Sequence, residues 1–167
     1  EEVAKLPKLT RDDIGEAACE PAFHLEERSC GSVLLHDVET HGIVYATRYF
    51  DVSCVSFDEM FYLSLLAKVL GKLDCAETTA AEMDTLIQSK LGNLSFSVEV
   101  YEDLSVRSRF YPRFVVGASA LVENTEAIAE LANEIMCTSC FSDFDRIHDI
   151  LLQRKVAFEQ TFALAGH

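Results

Sequence analysis

The sequence has no apolar run long enough to cross a bilayer; its longest, within residues 57–70, is broken by Ser64 and Lys68. No charged-then-apolar leader opens it. Basic residues are scarce, 14 Lys and Arg against 28 Asp and Glu. The resulting formal charge of −14 argues against a nucleic-acid partner, whose phosphates must be neutralised by Lys and Arg. Acidity favours basic partners or a solvated acidic surface instead. The seven glycines write neither a Walker loop nor a dinucleotide fingerprint, which removes the nucleotide-binding classes those loops define. Tandem repeats and low-complexity segments are absent.

What is present is enough apolar material for a core: 49% of 167 residues are hydrophobic. Residues 1–19 are charged and turn-rich, with Pro7 and Gly15, and read as a linker tail ahead of a single domain over 20–167. The chain opens on Glu1 and closes at His167, just past a long helical pattern, so it is expected to be a piece of a larger protein. Six cysteines, at 19, 30, 54, 75, 137 and 140, read as reduced intracellular thiols and not as a disulfide framework. Cys137 and Cys140 form a lone CxxC near the end of a helical pattern, a candidate thiol or metal pair.

Thr40 to Leu70 is read as the centre of the fold. Gly42 allows a turn, and Ile43 to Asp51 has the β-branched and aromatic content of a strand. A short strand around Ser32 to Val38 is expected to pair beside it. Ser56 and Glu59 fit a capping box, followed by a helix over 57–70 that is apolar almost all round and therefore expected to be buried. Thr79 and Glu82 fit a second box, with Met83, Leu86 and Ile87 on one face and Gly92 as the helix stop. Leu94/Phe96/Val98/Val100 alternate with polar residues, as do Phe114/Val116/Ala118/Ala120, predicting an antiparallel pair joined by a polar connection. Asn124 and Ser142 are expected to cap two further helices, the last burying Ile147, Ile150, Leu151, Phe158 and Phe162. The order is ββααββαα: an α+β layered domain, a largely antiparallel sheet with helices on one face.

Four stretches in this order resemble a known family: Leu6-Pro7-Lys8-Leu9 with Asp13-Ile14, Thr40-His41-Gly42-Ile43-Val44-Tyr45 with Phe50-Asp51, Gly92 to Ser97, and Phe141 to Arg146 with Gly166-His167. Across essentially the whole chain the sequence is similar to the pitrilysin-type zinc metallopeptidases, in particular the presequence-peptidase subfamily. Gly92-Asn93 and Asp74-Cys75 depart from the Gly-Gly and Gly-Thr pairs usual there. The resemblance implies a processing-peptidase-like fold and a place as the first domain of the enzyme's second half, in contact with the other domains of a clamshell that closes over unstructured peptides.

Catalysis in that family uses an inverted H-x-x-E-H site and a distal Glu on zinc. The corresponding helix here, 57–70, has no His, and the histidines at 24, 36, 41, 148 and 167 show no i, i+4 pair. The chain is therefore expected to bind no cofactor itself and to be inactive alone, with zinc in the catalytic domain of the parent. Cys54 and Ser56 have no sequence-evident base. The resemblance further implies that the helix-free sheet face looks into the peptide chamber, which makes Ser95, Ser97, Glu99, Arg113 and Ser119 the candidate substrate contacts. An alternative is an inactive peptidase-like interaction or structural domain. The expected location is cytoplasmic or an organellar matrix, with no membrane partner.

Overall fold

The computed structural model describes residues 21–29, 31–103, 105–106 and 108–165. The expected tail over 1–19 lies outside them. Two compact units divide between His41 and Gly42. In the first, β1 (Phe23–Arg28) and β2 (Gly31–His36) form an antiparallel hairpin in which Leu25 pairs with Leu34 and Glu27 with Ser32. The strand expected around Ser32 to Val38 is thus present, but its partner is β1 and not the strand that follows. The charged run Glu26-Glu27-Arg28 masks β1 in the sequence. Both glutamates are used: Arg28 pairs with Glu26 at 2.6 Å, and the Ser32 hydroxyl donates to Glu27 at 2.8 Å.

The second unit runs β3 (Ile43–Asp51), α1 (Phe57–Val69), α2 (Ala80–Lys90), β4 (Asn93–Glu102), β5 (Phe110–Leu121), a 3-10 turn (Val122–Asn124), α3 (Thr125–Thr138) and α4 (Phe144–Ala165). The α+β class holds, with one strand more than expected: βββααββαα. The sheet is antiparallel throughout in the order β3-β5-β4, so β5 is the central strand and β3 an edge. Its register sorts residues into rows. Ala46, Ala118 and Leu94 share one row, Arg48, Val116 and Phe96 the next, then Phe50, Phe114 and Val98. These face the helices: Phe114, Val116 and Ala120 join Met83, Leu131 and Ile135 in one buried cluster. A smaller cluster, Val69, Leu73 and Ile150, ties α4 to the end of α1.

The helix starts follow the sequence chemistry. Both capping boxes form, with Glu59 accepting from the Ser56 N–H at 3.1 Å and Glu82 from the Thr79 N–H at 2.9 Å. Other expectations need correction. The helix over 57–70 is not buried all round: Ala67 and Val69 are buried and Leu63 and Leu66 partly so, whereas Phe57, Phe61 and Tyr62 stand outside. A helix lying on a single sheet has only one flank to bury.

Gly92 is not a left-handed cap either. The chain leaves α2 through extended Leu91, and the Gly92 N–H donates to the Ser119 carbonyl at 2.8 Å. A Cβ at 92 would sit 3.0 Å from the Ser119 hydroxyl, so glycine serves close approach there. A glycine with positive φ does follow α1: Gly71, at φ +77. Asp143, not Ser142, caps α4 by accepting from the Arg146 N–H at 2.9 Å. Asn124 precedes α3 without a side-chain cap bond. On α4 the buried side is Ile147, Ile150 and Leu151; Phe158 is exposed, and Phe162 lies outside the described side chains.

Ile135 has no exposure at the centre of the larger cluster, so Ile135→Ala should cost about 2–5 kcal/mol in urea denaturation. Phe61→Ala, at an outward position, should cost less than about 1 kcal/mol. Equal losses would contradict the one-sided packing of α1.

Candidate functional site: the open face of the sheet

The alternation that sends Phe96 and Phe114 inward, into the cluster with the helices, sends the intervening residues to the opposite face, away from the described helices of that cluster. Its rows read Tyr45, Ser119 and Asn93; Thr47, Gly117 and Ser95; Tyr49, Val115 and Ser97; Asp51, Arg113 and Glu99. The five candidate contacts Ser95, Ser97, Glu99, Arg113 and Ser119 therefore share one face. Sequence reasoning misses the β3 contribution, although Tyr45/Thr47/Tyr49/Asp51 carries the period-2 signal. Reading β3 as the central strand leaves it with no face assigned.

The polar end of this face is cross-braced. Arg113 lies 3.1 Å from the Asp51 carboxylate, with its guanidinium 5.5 Å from the centre of the Tyr111 ring. Glu99 accepts from the Ser97 hydroxyl at 2.8 Å and from the Tyr101 hydroxyl at 2.5 Å. The Tyr101 ring meets Tyr49 edge-on with centroids 5.8 Å apart. These bonds hold charges in place. The Tyr101 and Ser97 hydroxyls lower the Glu99 carboxyl below its ordinary value of 4.5, and Glu99 in turn raises the Tyr101 phenol. Asp51 is lowered first by the Ser53 hydroxyl and backbone N–H and then by Arg113. At the other end the Ser95 hydroxyl donates to the Gly117 carbonyl at 3.2 Å, beside the small residues Gly117 and Ser119.

Three hydroxyls of this arrangement are committed, that of Ser95 to a carbonyl and those of Ser97 and Tyr101 to the Glu99 carboxylate. The Ser56 hydroxyl is taken up by the α1 cap, donating to Glu59 at 2.6 Å. Among the described residues no group of three or more His, Cys, Asp and Glu is placed to hold a metal ion such as zinc, and α1 carries neither His nor Cys. Cys137 lies in the last turn of α3 and Cys140 just beyond it; both are exposed and free. The Ser142 hydroxyl, 2.9 Å from the Cys140 sulfur, lowers that thiol.

A family model described as associated with the M16 peptidases of subfamily C matches residues 1–167, the whole chain. The chain belongs to this family. It is 26% identical over 167 residues to Protein HypA of Clostridium perfringens, covering 100% of this chain and 17% of that protein. To the mitochondrial presequence protease of Candida albicans it is 30% identical over 143 residues, 85% of this chain and 14% of that protein. The mitochondrial presequence protease of Drosophila melanogaster shares 22% over 163 residues, 97% of this chain and 16% of that protein. Within this peptidase-associated family, then, the chain corresponds to a minor segment of much longer relatives. Among its described residues no helix is long and apolar enough to cross a membrane.

Two outcomes follow from the electrostatics. Asp51 and Glu99 titrate lower folded than unfolded, so their contribution is complete above about pH 5 and drains as the pH falls through the lowered values. Glu99→Gln should flatten the decline of the thermal midpoint between roughly pH 5 and pH 2; an unchanged slope would show that the Tyr101–Glu99–Ser97 bonds do not persist in solution. Alkylation mapped by mass spectrometry should reach Cys140 before Cys137 and Cys75 last, because the lowered thiol is the more ionised and Cys75 is buried. Ser142→Ala should remove the lead of Cys140.

Proposed function

We propose that this chain is a non-catalytic domain of a zinc-dependent metallopeptidase that degrades oligopeptides, and that its open sheet face forms part of the wall of the substrate chamber. The observation that carries this reading is the one-sidedness of the β3-β5-β4 sheet. Helices cover one face, and the other presents Thr47, Ser95, Gly117 and Ser119 at one end, the buried Val115 at its middle, and Tyr and carboxylate side chains at the far end. A floor of small polar residues leaves room for varied side chains and offers hydrogen bonds without demanding a sequence. The charge of −14 suits unstructured, basic peptides as the molecules held against it. Relatives named presequence protease support the same class.

In this reading the chemistry belongs elsewhere in the parent, where a catalytic domain supplies zinc and its ligands. The present chain contributes scaffold through its core and contact surface through Ser95, Ser97, Glu99, Arg113 and Ser119. The cytoplasm or an organellar matrix suits its free cysteines, and the relatives include proteins named as mitochondrial and chloroplastic.

Ser97→Trp in the full-length parent tests the assignment. Ser97 is half-buried at mid-sheet, where an indole would stand above the floor without entering the helical core. The domain should stay folded, and degradation of long peptides should slow several-fold more than that of short ones. Equal slowing for both lengths, or unfolding of the domain, would refute the chamber wall. A parent lacking H-x-x-E-H upstream would refute the peptidase and leave an interaction domain.

A further inference from the structure

The helix-bearing face of the sheet is not covered along its whole length. Core packing on this face reaches the row of Phe50, Phe114 and Val98. Beyond it, Val100 pairs with Pro112 and Phe110 with Glu102, and by alternation both apolar side chains lie on the helix-bearing face. They are nevertheless 64% and 57% exposed. Helix α1, which packs on β4, carries Phe57 and Phe61 at i and i+4 on one flank, 92% and 63% exposed. Two phenylalanines on a helix flank and two apolar residues at a sheet end are costly to hydrate.

We infer that Phe57 and Phe61 of α1, with Val100 and Phe110 at the end of the sheet, form an interface covered by another domain of the same polypeptide. The inference rests on the reading of the chain as one domain of a longer peptidase. The matched segment is only 17% and 14% of the length of the relatives from C. perfringens and C. albicans, so ample chain exists to supply the cover. The chemistry of that cover is also indicated. Exposed Asp58 and Glu102 flank the apolar residues, and among the described residues neither forms an ion pair. The covering surface is therefore apolar at its centre with Lys or Arg at its rim, the arrangement of a packed interface with a charged border. This surface lies on the helix-bearing face of the sheet, opposite the proposed chamber wall.

Hydroxyl-radical footprinting of the wild-type 167-residue chain and of the full-length parent compares side-chain access directly. Phe57 should lose roughly tenfold in reactivity in the parent, the ratio of its 92% exposure to the 0–8% of core side chains. Phe61 and Phe110 should fall with it. Tyr45 and Tyr49, on the open face, should keep their reactivity if the chamber reading holds. Equal Phe57 reactivity in both proteins would overturn the interface, whatever the tyrosines do. Protected tyrosines beside protected phenylalanines would refute the chamber and leave the interface standing. Sedimentation showing the short chain as a dimer, with Phe57 already protected, would assign the surface to a second copy and overturn the inference. As a second measurement, Phe61→Ser should leave the midpoint of the short chain unchanged and lower that of the parent; an equal effect on both would count against the interface.

Discussion

The larger unit depends on β5 being hydrogen-bonded along both edges. Phe110–Leu121 is the only described strand with two partners, and its inward residues Phe114, Val116 and Ala120 form the floor on which α3 and the α2 residue Met83 are packed. Because its register with β3 and β4 is fixed, every outward residue is placed as well. A one-residue slip would exchange the core with the polar face, so the burial of Phe114 and Val116 also aligns Asp51, Arg113 and Glu99 in a single row. The hydrophobic and the polar patterns are one constraint seen from two sides.

The helices complete this arrangement. The starts of α1, α2 and α4 are fixed by side-chain caps at Ser56, Thr79 and Asp143, and α4 is joined to the rest through Val69, Leu73 and Ile150. Family membership bears on architecture here: α1 turns Ala67 and Val69 to the core and Phe57, Phe61 and Tyr62 outward.

Much of this was legible in the sequence because the signals were local. The capping boxes and the alternating pair 93–102 and 110–121 depend on neighbours a few residues apart. What escaped depended on partners. The strand β1 is hidden by its glutamates, which make sense only beside Ser32 and Arg28. The edge position of β3 follows from where β5 docks, roughly seventy residues later. Gly92 reads as a helix stop because its real role, contact with Ser119, lies in tertiary space. The apolar roundness of α1 suggested full burial, a reading that assumes the domain supplies all of its own neighbours.

The order β3-β5-β4 has a colloidal consequence. Among the described residues neither β3 nor β4 is paired on its outer side, so each offers a row of amides and carbonyls to any strand that arrives. Mutual repulsion between acidic copies keeps such encounters short at neutral pH. That repulsion vanishes near pH 4.6, where the chain has no net charge. Below that point the Asp51 and Glu99 braces begin to protonate as well. Solubility and sheet integrity thus fail over adjoining pH ranges, and mild acid should drive the isolated domain toward edge-to-edge association before it unfolds.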